Sequence, residues 1–301
     1  KIIVTILLLC LWKCIKIISI NVSVCRNMNV AERNSLFMMS DTRLKREKRR
    51  PFTLEVCVDS TESALEAAAG GATRLELCAD LVIGGTTPGL ELFREIRSES
   101  DIDINVLIRP RFGDFHYTGH EIAIMCREIE AFAREGAHGI VMGSLQKDGS
   151  LNISQMREMI AAAGDCRITL HRAFDVCREP FQVMEQAAEL GVDTILTSGQ
   201  EADCLAGMEV LGKLIEEAPE GLDILIGAGV TPEVIRQFLS QMPARHFHMS
   251  GKKVLESEMQ WRNPKVNMGL PGISEFEIYR TDSNVIREAR HILEMAWRGN
   301  M

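Results

Sequence analysis

This 301-residue chain has nine cysteines but no CxxC pair and no regular spacing among them. That excludes a small disulfide-stapled scaffold. In a chain with so large a core, scattered thiols point to a reducing, cytoplasmic setting. No glycine fingerprint follows the first apolar segment, which continues "VCVDSTES", so the opening of a dinucleotide-binding fold is missing. The uninterrupted apolar run, residues 2–12, is closed off by Lys13 and Lys16. It falls short of the roughly 20 residues that cross a bilayer, and no clear small-residue cleavage site follows it. Positive charge is also scarce beyond residue 50, where 23 Lys or Arg face 39 Asp or Glu. A body that acidic has no basic stripe with which to neutralise phosphates, which excludes a nucleic-acid-binding surface.

Residues 1–50 carry the opposite sign, with 11 Lys or Arg against 3 Asp or Glu, and end in "RLKREKRR". The chain opens on Lys1, and Met28, Met38 and Met39 offer later starts. This stretch is therefore expected to be a poorly ordered or non-native extension ahead of the folded domain, with a basic targeting arm as the alternative.

From Phe52 onward a short run of Val, Ile and Leu alternates with an amphipathic segment, eight times. The strand candidates are residues 53–58, 74–79, 104–110, 139–144, 167–174, 194–199, 223–229 and 246–251. Between them, segments such as "HEIAIMCREIEAFAREGA" repeat apolar residues every three or four positions, as surface helices do. Thr87-Pro88 and Thr231-Pro232 read as helix starts, and Gly70-Gly71, Gly136 and Gly191 as helix ends. Strand and helix in alternation make parallel βαβ units. Residues 51–301 approach the length of about 250 typical of an eight-fold barrel. The expected fold is a single α/β domain, a parallel (β/α)8 TIM-type barrel. An open doubly wound sheet is the alternative. The connection of about 30 residues before the last helix, "SNVIREARHILEMAW", is long enough to be functional or to form a contact between copies of the chain.

Side chains in a strand alternate between its faces. In "TLEVCVD", Leu54, Val56 and Val58 form the helix-packed set, which turns Glu55 and Cys57 into the barrel. "RLELCAD" repeats the pattern with Glu76 and Cys78. Two buried carboxylates need cationic partners, and Arg109, Arg111, His171 and Arg172 are on offer near strand ends. Either the carboxylates form a structural ion-pair network, or Glu55, Glu76, Arg109, His171, Arg172 and Asp175 are catalytic groups at the mouth, where barrel active sites sit. The two thiols could share a soft ion such as Cu(I), although inward residues on adjacent strands belong to alternate layers. Elsewhere, "IRPRFGDF" is either an anion clamp or an Arg–Asp pair that braces its loop. "IGAGVTPE" could hold an anion on its amides. Met259 and Met268 are more simply packing residues than thioether ligands.

In order, "LEVCVDS", "RLELCADLVIGGTTP", "VLIRPRFGDFHY", "TLHRAFD", "ILTSGQ", "GAGV" and "FHMSGKK…RNPKVNMG" resemble the copper homeostasis protein CutC family over roughly residues 52–300. The resemblance implies a (β/α) barrel, sometimes oligomeric, associated with cytoplasmic copper handling. It places copper on Cys57 and Cys78, and matches the family's polar mouth to Glu55, Glu76, Arg109, Arg111, Asp114, His171, Arg172, Asp175 and Ser198. The chain departs from the family at Phe112, where a second Gly is common, and at Gly251-Lys252, where Ala-Arg is common. The expected function is Cu(I) binding by the paired cysteines. The alternative is a metal-independent barrel enzyme acting on a small anionic metabolite.

Overall fold

The computed structural model describes residues 51–263, 265–266, 268–269 and 272–299; the expectation for residues 1–50 lies outside them. Eight parallel strands form a closed barrel in sequence order. They are β1 (Thr53–Val58), β2 (Arg74–Leu77), β3 (Ile104–Leu107), β4 (Gly139–Met142), β5 (Arg167–Leu170), β6 (Thr194–Thr197), β7 (Asp223–Ile226) and β8 (His246–Met249). The outer helices are α1 (Thr61–Gly70), α2 (Leu90–Glu99), α3 (Gly119–Arg134), α4 (Ile153–Ala163), α5 (Pro180–Glu189), α6 (Met208–Glu217), α7 (Pro232–Gln241) and α8 (Ser283–Trp297). All eight strands begin where the sequence places them. Seven end two to four residues earlier, because the chain leaves the ladder for the loops that carry Arg109, His171 and Ser198. After β5 it coils into a short 3-10 turn, Arg172–Val176.

Periodicity builds two separate apolar regions. Leu54, Val56, Leu75, Leu77, Ile140, Ile168, Ile224 and Phe247 face outward and merge with Phe93, Met125, Phe238 and Ile286 of the helices in one core. Each fully buried Leu, Ile or Phe there contributes about 1.5–3 kcal/mol relative to exposure. The inner lining holds a much smaller apolar cluster, Cys78, Leu107 and Val141, with Cys57 and Leu81 packed against it. The rest of the described interior is unusually polar for a barrel that is ordinarily filled with branched aliphatics. Glu55, Arg74, Glu76, Asn105 and Thr169 are all buried.

Helix ends follow local chemistry. The Thr118 side chain and Glu121 form a reciprocal capping box on α3, and Thr231 caps α7 ahead of Pro232. Gly71, Gly136 and Gly191 follow their helices in the left-handed region. Thr87-Pro88 is not a helix start, because α2 begins at Leu90 behind Gly89. Thr87 instead ties the loop to β3: its Oγ1 accepts from the Arg109 N–H and donates to Glu128 Oε2. The long connection after β8 is not structureless. Its ends pair as an antiparallel ribbon, β9 (Lys252–Glu256) with β10 (Glu277–Thr281). Met259 and Met268 within it are exposed by 61% and 84%, so neither packs as the sequence suggested.

Candidate functional site

Closure of the barrel brings β8 beside β1 and assembles a buried cluster around Glu55. The Glu55 side chain has no exposed surface. Its Oε2 accepts from Arg74 Nε at 2.5 Å and from Asn105 Nδ2 at 3.3 Å. Its Oε1 lies 2.8 Å from His248 Nδ1. Burial disfavours the carboxylate, but Arg74 and His248 outweigh it and hold the Glu55 pKa down to about 2. Among the described residues no guanidinium is hydrogen-bonded to Glu76; His248 Nε2 lies 3.8 Å from it. Burial raises its pKa despite the pull of His248, and the charge on Glu55 adds to the rise. Burial works against a charged His248 as well. Cys57, Glu76 and Glu55 around the ring prevail and set its pKa well above the usual value. With His248 protonated, two cations face two carboxylates, which is how so many charges persist without water.

The thiols lie on the same wall. Register pairs Glu55 with Arg74 and Cys57 with Glu76, so Cys78 stands two residues further along the chain, just past β2, roughly 7 Å on. The pair is diagonal. Cys57 is partly exposed, and its Sγ lies 3.7 Å from the Met249 carbonyl. Cys78 is fully buried and its thiol donates to Glu76 Oε2 at 3.4 Å. Burial, with Glu76 and Cys57 beside it, pushes the Cys78 thiol well above its usual pKa. Oxygens of Glu55 and Glu76 and a ring nitrogen of His248 lie within 4.8 Å of one another, the one such trio of potential ligands among the described residues. It includes neither thiol. Two carboxylates and an imidazole suit a harder ion than Cu(I), and Arg74 already offsets Glu55.

The remaining predicted residues divide into separate groups. Asp175 is fully engaged: Oδ1 accepts from Thr197 Oγ1 and from the Ser198 and Gln200 amides, and Oδ2 from Arg172 Nε and Ser198 Oγ. This knot anchors the turn after β5 to the end of β6. No hydrogen bond or ion pair among the described residues joins it to Glu55 or Glu76. Arg111 braces its own loop through Asp114 and also pairs with Glu121. Arg109 has a different environment: Nη1 and Nη2 donate to the carbonyls of Gly84, Gly85 and Gly113, and no carboxylate among the described residues joins them. In the turn after β7, the Gly227 amide and the Ala228 carbonyl are bonded to Thr197 and Cys204, so these groups are already used.

Residues 52–253 match the model of the CutC family. The chain belongs to the CutC family. A CutC family protein of Parabacteroides distasonis is 43% identical over 236 residues, covering 78% of this chain and 97% of that one. A Homo sapiens relative named copper homeostasis protein cutC homolog is 37% identical over 237 residues, covering 78% and 87%. The crystal structure of CutC from Streptococcus agalactiae superposes with a TM-score of 0.63 at 25% identity, covering 66% of this chain and 98% of that one. Thiamine phosphate pyrophosphorylase from Pyrococcus furiosus shares the barrel fold, with a TM-score of 0.50 at 16% identity over 82% of this chain and 98% of that one.

One departure from the usual CutC pattern has a packing reason. A Cβ at Gly251 would come within 2.5 Å of Ile286 Cδ1, so α8 occupies the space that an alanine methyl would take. Phe112, the other departure, is exposed by 65% on its loop. Sequence reasoning missed Arg74, Asn105 and His248 as members of the buried cluster. The signal was present: in "HFHM", Phe247 and Met249 are the helix-packed pair, which turns His246 and His248 inward. "RLEL" and "INVL" place Arg74 and Asn105 inward by the same parity.

Proposed function

We propose that this CutC-family chain is a copper-binding protein of cytoplasmic copper homeostasis, with Cu(I) held by Cys57 and Cys78. The observation that carries the proposal is the company the thiols keep. Both line the small apolar cluster inside the barrel with Leu107, Val141 and Leu81. In that setting the Cys78 thiol holds its proton tightly, and a soft cation is the species that can replace the proton and stabilise a thiolate away from water. Cu(I) needs few ligands, so a diagonal pair on neighbouring strands can supply the site without a third protein donor. The Glu55–Arg74–His248 network then serves as a scaffold that fixes β1, β2 and β8 around the thiols. The copper homeostasis name of the human relative agrees with this reading. The alternative, a metal-independent enzyme for a small anionic metabolite, draws on Arg109, a buried cation with no carboxylate partner among the described residues.

The test is anaerobic titration of Cu(I) against a competing chelator. Affinity should fall by more than tenfold in Cys57→Ser/Cys78→Ser, and each single variant should lose most of it. Equal affinity in the wild type and the double variant refutes the assignment.

A further inference from the structure

Three polar side-chain atoms at the barrel mouth are buried and without a hydrogen-bond partner among the described residues: Arg109 Nε, His171 Nε2 and Tyr117 Oη. Their residues are exposed by only 8%, 4% and 2%. A buried donor left unpaired is destabilising, and more so when charged, so three in one loop region call for an explanation. Arg109 and His171 flank a single ring. The Arg109 guanidinium carbon lies 5.1 Å from the centroid of Phe115, and the His171 and Phe115 rings are 4.8 Å apart. Tyr117 follows two residues later in the same loop, near enough to Arg109 for the guanidinium charge to act on its phenol.

All three present protons. The Ala173 N–H donates to His171 Nδ1 at 3.1 Å, which leaves the ring proton on Nε2. Burial and the neighbouring charge of Arg109 hold the His171 pKa down to about 3, so this neutral tautomer persists across the physiological range. Burial pushes the Tyr117 phenol up to about 12, so it remains an O–H donor. Arg109 adds a positive charge whose Nη atoms donate to neutral carbonyls. The backbone makes room for this arrangement: a Cβ on Gly143, just after β4, would lie 2.8 Å from the His171 ring.

The geometry points to a binding site for a small carboxylate at the mouth above β3, β4 and β5, with Arg109, His171 and Tyr117 as its donors. Arg111, over the Tyr117 ring at 5.3 Å, is already paired with Asp114 and Glu121, which leaves one cation and two neutral donors to match one negative charge spread over two oxygens. A phosphate dianion would leave charge uncompensated. The C-terminal end of the strands is also where barrels place small ligands. The site is distinct from the thiol pair and needs no metal. The Gly84–Gly85 loop links the two: its carbonyls accept from Arg109, and a Cβ on Gly85 would lie 3.7 Å from Cys78 Sγ.

The full chain, stripped of metal on a chelating resin, is titrated with the monocarboxylates acetate and propionate. Inorganic phosphate and chloride at matched ionic strength serve as controls, with calorimetry and thermal shift as readouts. Carboxylates should bind and raise the melting temperature beyond the salt controls. Arg109 also braces two loops, so the decisive variants lie elsewhere. His171→Asn keeps an acceptor for the Ala173 amide but removes the Nε2 donor, and should weaken binding by about tenfold. His171→Gln places an amide N–H near the lost position and should retain most of the affinity. Tyr117→Phe removes an unpartnered hydroxyl, so it should weaken binding without lowering the stability of the free protein. The proposal is overturned if carboxylates do no more than chloride, if phosphate binds and carboxylates do not, or if His171→Asn and Tyr117→Phe both bind as the wild type does.

Discussion

Replacing Glu55 by Gln keeps the size and hydrogen-bonding shape of the side chain and removes its charge. In the native protein that charge faces Arg74, which is buried to 6% exposure, and the His248 ring. A drop in pKa from 4.5 to about 2 corresponds to about 3 kcal/mol at about 1.4 kcal/mol per unit. Breaking a buried ion pair by removing one partner costs about 3–5 kcal/mol, chiefly because the other charge is left uncompensated. The two routes agree, so Glu55→Gln should lose about 3 kcal/mol. With a urea slope of about 3 kcal/mol/M, the midpoint moves down by about 1 M. The sign of the pH dependence follows from a depressed carboxylate. The Glu55 contribution is fully present above the unfolded value near 4.5 and is lost as pH falls toward about 2. The gap between wild type and variant should therefore be constant near neutrality and close in acid. Equilibrium urea unfolding at several pH values measures it. A loss under about 1 kcal/mol at neutral pH, or a gap that does not shrink in acid, refutes the view that Arg74 depends on Glu55.

His248 titrates in the opposite sense. Its folded pKa stands well above 6.5, so its contribution is full below that value and disappears as pH rises through the folded pKa. The difference in melting temperature between wild type and His248→Gln should be constant below about pH 6.5 and narrow steadily as the pH rises above it. Under the proposed ligation, Cu(I) would displace the tightly held Cys78 proton, so competition assays should give an affinity that rises steadily with pH; a flat profile argues against Cys78 as a ligand. Thr231→Ala removes the side chain that caps α7 and should cost about 1 kcal/mol in urea unfolding.

Much of this protein is legible from local pattern. The period-two alternation in "TLEVCVD" and "RLELCAD" turned Glu55, Cys57, Glu76 and Cys78 inward, and the structure places all four on the lining. Strand starts and several helix caps were equally legible, because side chains within a few residues of one another decide them. Strand ends were read too long, since apolar residues continue into loops whose course is set by partners such as Thr87 and Asp175.

By itself, the sequence determined the alternation of strand and helix, the parity of each strand and the thiols on the inner face. Only the tertiary structure decided which inward residues meet. Glu55 and His248 are 193 residues apart and touch because β8 closes on β1. Cys57 stands level with Glu76, not Cys78, because register is fixed by the whole ring of strands. Arg74 meets Glu55, 19 residues earlier in the chain, because the register of β1 against β2 sets them side by side. Parity depends on backbone geometry one residue at a time, whereas closure, register and ion pairing depend on contacts between distant segments, which no local period encodes.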